Sequence, residues 1–400
     1  MECDYLIIGG GIIGLNIART LKLEKKDAKV VLIEKETEVA MHSSGRNSGV
    51  LHAGFYYSAD SLKAKFTREG NASLHKFCKD RNLRINECAK VVVAQNDEEV
   101  AGLEELKRRG EVNGVELSWL SEEELGEKFP LIKTHQKALF SPTTATIDPK
   151  EVTLEFKKVA QELGVEILTS TSYAGKIAEH EIETNSGVIK FKKLINCAGL
   201  YADKIAKDFG FGKNYVIIPF KGIYLKDKHN VCGLETNVYP VPNLANPFLG
   251  VHYTYAVEDD SKIGPTAIPA FWRENYKGFE NFNFGEMVQI LYYEAKLFIT
   301  NAFGFRSLAI DEVKKYSKSY LLNLAKGLTK PLDMSGFDSW STPGIRAQLL
   351  DTKTLELVQD FVVEGDDVSI HILNAVSPAF TSSMPFSQWV MQNYIDKKAS

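Results

Sequence analysis

The sequence predicts an α/β chain, α+β overall, and three observations predict it. An apolar run near the start leads into a glycine-rich turn, a second apolar run ends on an acid, and strand–helix patterns with small residues at their junctions recur far along the chain. With 400 residues, 44% of them hydrophobic, the chain can bury more than one core, so two or three units are expected. The formal net charge of −4 argues against a general nucleic-acid binder.

Each element can be justified in order. Tyr5-Leu6-Ile7-Ile8 reads as a buried parallel strand. It runs into Gly9-Gly10-Gly11-Ile12-Ile13-Gly14 and then into the helical Leu15-Asn16-Ile17-Ala18-Arg19-Thr20-Leu21. The next strand, Lys29-Val30-Val31-Leu32-Ile33, ends on Glu34. The order is strand, G-x-G-x-x-G, helix, strand, acid, which is the Rossmann-type dinucleotide pattern. Gly9 makes the tight turn, Gly11 admits a pyrophosphate to the backbone, and Gly14 lets helix and sheet pack closely. Free N–H groups and the positive dipole end at the helix start suit phosphate. Glu34 is placed to accept hydrogen bonds from ribose hydroxyls, and its charge disfavours NADP.

That motif does not choose between FAD and NAD. The stretch Met41-His42-Ser43-Ser44-Gly45-Arg46-Asn47-Ser48-Gly49 is polar and glycine-punctuated, as suits donors wrapped around a diphosphate. A helix over 149–164 and strands over 165–168 and 193–196 lead to Cys197-Ala198-Gly199, which opens a helix over 201–209. A third cluster holds Thr342-Pro343-Gly344-Ile345-Arg346 and Asn374-Ala375-Val376-Ser377-Pro378-Ala379. A cofactor domain built from three separated segments favours FAD, because an NAD enzyme more often completes that domain in one block.

The run His42-Ser43-Ser44-Gly45-Arg46-Asn47-Ser48-Gly49-Val50-Leu51-His52-Ala53-Gly54-Phe55-Tyr56-Tyr57 resembles the signature of the L-2-hydroxyglutarate dehydrogenases and oxidases, within the D-amino-acid-oxidase-like FAD enzymes. The likeness continues in Tyr239-Pro240-Val241-Pro242, Pro247-Phe248-Leu249-Gly250-Val251-His252, Gly264-Pro265-Thr266-Ala267, Gly344-Ile345-Arg346-Ala347-Gln348 and Ser377-Pro378-Ala379. It departs at Lys221, Ile223, Thr266, Val376 and Phe380; lysine at 221 keeps the charge of the family's arginine and loses its bidentate fork.

The resemblance implies a non-contiguous FAD-binding domain (1–80, 146–212 and 335–400) and a mixed-sheet substrate-binding domain (81–145 and 213–334). Strand-like runs at 90–94, 214–225 and 248–257 agree with the second. The implied reaction oxidises a small anionic 2-hydroxy acid, L-2-hydroxyglutarate, to 2-oxoglutarate. It delivers hydride to flavin N5 and passes electrons to a quinone or oxygen. An amine or amino-acid oxidase of the same fold is the alternative, and a non-catalytic flavin-binding module a third reading.

Hydroxy-acid oxidation needs a base, cations for carboxylates, and exclusion of water. His52 and His252 are the candidate bases; the other histidines have no supporting context. Arg46, Arg346 and Lys221 are the candidate cations, with both arginines open to a flavin contact instead. Tyr56 is a candidate for positioning substrate. The expected cofactor contacts are Gly9, Gly11, Ile12, Ile13, Gly14, Glu34, Lys35, Ser43, Ser44, Arg46, Asn47, Tyr173, Cys197, Ala198, Gly199, Arg346, Ser377, Pro378 and Ala379.

Five scattered cysteines, without C-x-x-C spacing, indicate neither a disulfide framework nor a zinc site, and no metal is expected. The acidic start lacks the look of a signal or transit peptide, and no apolar run is long enough to span a bilayer. A cytoplasmic protein is expected. The segment 286–305 is helical in pattern and carries Met287, Ile290, Leu291, Leu297, Phe298, Phe303 and Phe305. Its apolar face is either core or a peripheral, quinone-facing surface on the inner face of the membrane.

Overall fold

The computed structural model describes residues 1–242 and 250–396, and these divide into two compact units. The first comprises Met1–Asn47, Pro149–Pro219 and the chain from Ile345; the second comprises Ser48–Asp148 and Phe220–Gly344.

In the first unit the strands Glu2–Ile8, Val30–Ile33, Glu166–Leu168 and Gly187–Asn196 form a parallel sheet, with Glu2–Ile8 between Val30–Ile33 and Gly187–Asn196. Ser369–Asn374 extends it in parallel beside Gly187–Asn196. A hairpin, Tyr173–Ala178 with Glu181–Thr184, continues it antiparallel. Val30, Val31, Leu32 and Ile33 are all buried, which is why this strand reads as an unbroken apolar run. The helix Ile12–Glu24 is buried almost all round over its first three turns and packs against the helices Pro149–Glu162 and Ala379–Val390.

The second unit is built on an eight-stranded mixed sheet. Its order is Phe337–Trp340, Leu225–Asp227, Ser261–Gly264, His252–Tyr255, Asn237–Pro240, Lys90–Val93, Lys137–Ser141, Ser118–Ser121. All neighbours run antiparallel except Asn237–Pro240 with Lys90–Val93. One face carries Val91, Val93, Val238, Tyr253 and Ile263 into a core closed by the helix Lys318–Lys326. The other carries Val92, Ala94 and Tyr239 into a second core with Phe55, Tyr56 and the helix Asp97–Val112.

Three expectations are corrected. The segment 48–80 packs with the second unit, because Val50–Leu51 and Ile85–Asn86 both pair with Ala145–Ile147. The strand expected over 214–225 is two strands, Tyr215–Gly222 and Leu225–Asp227, and the chain changes unit inside the first of them. The helix expected over 286–305 is Phe284–Thr300, ended by Asn301 in the left-handed region, with Phe305–Lys314 beyond a short turn. Of the strand expected over 248–257, the structure describes His252–Tyr255; Pro247, Phe248 and Leu249 lie outside the described residues, as do the last four.

Candidate active site

In the first unit the expected cofactor residues collect at the carboxyl ends of the parallel strands, where open α/β sheets take ligands. Gly9 follows Glu2–Ile8, Glu34 follows Val30–Ile33, Cys197 follows Gly187–Asn196, and Ala375 follows Ser369–Asn374. Gly9 has φ +111°, and a Cβ there would stand 2.4 Å from the Cys197 carbonyl oxygen. A Cβ on Gly14 would meet the Gly9 carbonyl oxygen at 2.0 Å. Both glycines are therefore required by close backbone approach. Gly11 caps the helix Ile12–Glu24, whose first turn holds no acid to repel a phosphate.

Side chains then fix the turn. Glu34 accepts from the Gly10 amide at 2.7 Å and from the Glu36 amide at 2.9 Å, and its carboxylate keeps lone pairs for further donors. The Ser44 hydroxyl accepts from the Ile12 amide at 2.9 Å. Asn47 donates to the Ser43 and Ser44 carbonyls at 3.1 and 3.0 Å. The Ser43 hydroxyl donates to the Ile345 carbonyl at 2.7 Å, so the turns bearing Arg46 and Arg346 meet at one place. Behind the strand ends, buried Asn196 donates to the Ala202 carbonyl at 2.8 Å and pairs with His371 at 3.1 Å.

The other expected contacts are more scattered. Lys35 is exposed, pairs with Glu36, and lies 5.6 Å from the Tyr201 ring centroid. Tyr173 turns its hydroxyl to Asp208 at 2.8 Å. Ser377 is exposed, and Pro378 caps the helix Ala379–Val390. A bare backbone turn, a helix start clear of acid, flanking hydroxyls and a carboxylate on the next strand fit a dinucleotide with a diphosphate bridge.

The second unit brings His52, His252 and Tyr56 together. His52 follows Val50–Leu51, and the loop it opens is pinned by amides from afar. Asn71 donates to the Leu51, His52 and Thr143 carbonyls at 3.2, 3.3 and 3.0 Å. Asn113 donates to the Gly54 and Tyr57 carbonyls, both at 3.0 Å, and Arg109 donates to the Tyr56 carbonyl at 3.1 Å. Gly54 sits at φ +106°, which gives this loop its turn. The Tyr56 ring is buried and stacks on Phe55 with centroids 4.3 Å apart.

His252, on the sheet, stacks on Tyr239 with centroids 3.7 Å apart and planes 15° apart. Its Nδ1 lies 2.8 Å from the Gly250 carbonyl, which can only accept, so in the neutral ring the proton sits on Nδ1 and Nε2 is an acceptor. Burial holds His52 well below the usual imidazole range, and the charges of Lys90 and His252 push the same way. Burial raises the Tyr56 and Tyr239 phenols. Lys221, half-buried on Tyr215–Gly222, is lowered by burial. Its carbonyl accepts from the Thr266 hydroxyl at 3.0 Å, and the Thr266 hydroxyl oxygen in turn accepts from the Ile223 amide at 3.1 Å. Thr266 thus clamps the strand that carries Lys221. Arg273 is wholly buried and paired with Glu286.

Sequence reasoning missed Lys90, Tyr239, Asn71, Asn113 and Arg109 as parts of this site. A buried lysine opening an otherwise apolar strand was the one signal available for Lys90; the amide clamps had none.

The whole chain can be compared with known proteins. The family of FAD dependent oxidoreductases matches residues 4–387. The chain is 35% identical over 403 residues to an L-2-hydroxyglutarate dehydrogenase of Escherichia coli, covering 97% of this chain and 92% of that one. It is 35% identical over 409 residues to the mitochondrial L-2-hydroxyglutarate dehydrogenase of Mus musculus, covering 96% and 87%. The fold is shared with an FAD-bound L-alpha-glycerophosphate oxidase of Mycoplasma pneumoniae (TM-score 0.76, 23% identity, 98% of this chain and 95% of that one).

Proposed function

The chain belongs to the FAD dependent oxidoreductase family, and we propose that it oxidises L-2-hydroxyglutarate to 2-oxoglutarate. It is an FAD-dependent oxidoreductase acting on a 2-hydroxy acid. The observation that carries the choice of substrate, beyond the relatives, is a buried basic cluster around Lys90, whose charge meets no acid among the described residues and whose Nζ has no hydrogen-bond partner there. Such a cluster suits a substrate that brings its own negative charge.

In this reading the first unit holds FAD through Gly9–Gly14, Ser43, Ser44, Glu34 and Cys197–Gly199, and the second unit supplies the substrate chemistry. His52 takes the hydroxyl proton, because burial and the charge of Lys90 keep its ring neutral at physiological pH. His252, its tautomer fixed by Gly250, is the second acceptor. Lys221 offers its charge to a carboxylate oxygen within the second unit, and Arg46 and Arg346, whose turns meet within the first, offer bidentate forks to an anion there. Tyr56 and Phe55 give the site an apolar wall. Bound FAD supplies the acceptor for the α-hydrogen with its electron pair and hands two electrons to a quinone or oxygen.

The test is anaerobic mixing of the holoenzyme with L-2-hydroxyglutarate. Loss of the visible flavin absorbance is expected. Bleaching by an amino or imino acid, with none by the hydroxy acid, would overturn the reading in favour of an amine oxidase.

A quinone acceptor at a membrane surface is supported by one element. The helix Phe284–Thr300 buries Glu286 and Glu294 together with Ile290 and Leu297, and leaves Val288, Leu291, Tyr292, Phe298 and Ile299 exposed. No helix among the described residues is long and apolar enough to cross a membrane, so the contact proposed is peripheral. The five free cysteines suit the cytoplasm, with the enzyme on the inner face of the membrane.

A further inference from the structure

Lys90 is buried completely, yet among the described residues its charge has no acid to meet. Its Nζ has no hydrogen-bond partner among the described residues. It lies instead 4.0 Å from the Tyr239 ring centroid, 5.3 Å from that of Tyr56 and 5.9 Å from that of Phe55. Three adjacent strands build this arrangement. Tyr239 is in register with Val92, two residues beyond Lys90, and Val238 with Tyr253, so Lys90, Tyr239 and His252 share one sheet face. The His252 ring covers one face of Tyr239 at 3.7 Å, so an ammonium over the same ring at 4.0 Å occupies the other. Lys90 and His252 sandwich the tyrosine.

A cation held only by aromatic faces is a costly thing to bury, and an apolar side chain of similar length would fill the space more cheaply. Packing therefore does not explain a lysine here. We propose that Lys90 is a positioning residue whose buried charge keeps His52 in its neutral, proton-accepting form. The inference rests on the reading of His52 as the base.

The surroundings are consistent with this. On the loop, His52 is neighboured by Tyr56 and Tyr57; Cys88 precedes Lys90; Tyr239, itself near Tyr224, and His252 come from the next strands. The helices behind the loop contribute Arg109 and Arg68, bonded to the Tyr56 and Asn113 carbonyls, and His75, paired with Glu87. Glu87, turned to His75 and Lys79, and Glu105, paired with Arg109, are the carboxylates in this set. Burial lowers Lys90 to about 7, so it is charged over the acidic range in which an imidazole would otherwise take a proton. A positive neighbour lowers an imidazole's affinity for that proton.

The experiment compares holoenzymes of wild type, Lys90→Met and Lys90→Arg, with matched FAD content and melting temperature. Removing the charge should raise the affinity of His52 for a proton, so the acid limb of kcat/KM should move to higher pH by about one unit in Lys90→Met. Lys90→Arg should keep the wild-type limb. Imidazole titration by NMR in histidine-labelled holoenzyme, without substrate, should show the same upward shift for His52. This readout separates the proposal from the substrate assignment, since it stands even if L-2-hydroxyglutarate bleaches nothing. A folded Lys90→Met with unmoved limb and unmoved titration overturns the proposal. Should Lys90→Met fail to hold FAD, the lysine-labelled wild type decides: Lys90 must stay protonated across the range in which His52 titrates, and a neutral Lys90 there overturns it.

Discussion

At the scale of single residues, His52 depends on partners that the sequence keeps far from it. Its carbonyl is held by Asn71, and the rest of its loop by Asn113 and Arg109. Such clamps fix a side chain without touching its ring, which is what a base must have to meet a substrate hydroxyl repeatedly at one geometry. His52→Asn is expected to lower kcat by roughly 10²–10⁴-fold, the usual worth of general base catalysis, with FAD content unchanged. His252→Asn should cost less. Stopped-flow flavin reduction measures both, and the assignment falls if His52→Asn keeps its rate within tenfold while His252→Asn loses it. Because His52 is held below the ordinary imidazole range, its neutral form persists below pH ~6.5, and the wild-type acid limb should lie under that value. The histidines were legible in the sequence since each stands in a recognisable local run. The asparagines were not, because hydrogen bonds spanning 19 to 59 residues leave no local spacing to read.

At the scale of elements, the glycine turn was the most readable part of the chain. Its requirements are local: a positive φ at Gly9 and a contact between Gly14 and the Gly9 carbonyl five residues earlier. Gly14→Ala would put a methyl 2.0 Å from that oxygen, well inside contact distance, so helix and turn must separate. The purified variant is expected to lose most of its flavin, read as the ratio of visible to ultraviolet absorbance, and to melt several degrees lower. Gly175→Ala is the control, since a Cβ there meets nothing within 4 Å. Equal flavin content in the two variants would count against the turn as the diphosphate cradle. The segment 48–80 was misplaced for the opposite reason. Its affiliation is decided by the pairing of Val50–Leu51 with Ala145–Ile147, nearly a hundred positions on, and strands of two or three residues are too short to show a period.

At the scale of the whole molecule, the inverted helix Phe284–Thr300 argues for a surface that does not face water alone. Phe279 is 83% exposed, Phe284 66%, Tyr292 60% and Ile299 71%, while Glu286 and Glu294 of the same helix are buried. Burial raises the Glu294 carboxyl to about 8, so that acid is neutral at physiological pH and adds no charge to the outer face. Arg306 donates to the Phe298 and Ile299 carbonyls and so sets a cation among these apolar side chains, as in an interfacial anchor on anionic lipid. Each large side chain taken up by the interface is worth about 1.5–3 kcal/mol, so four of them suffice for reversible attachment of the whole enzyme. Wild-type holoenzyme should therefore sediment with vesicles containing anionic lipid, and release should follow added salt in part. Replacing Tyr292 and Ile299 together with serine should weaken binding at least about tenfold, since 1.4 kcal/mol already suffices for that. Bleaching by substrate and reduction of a water-soluble quinone should be untouched, because neither residue belongs to the basic cluster or the glycine turn. Wild-type protein left in the supernatant, or a double variant that sediments equally well, would remove the membrane from the account and leave the acceptor to be sought in solution.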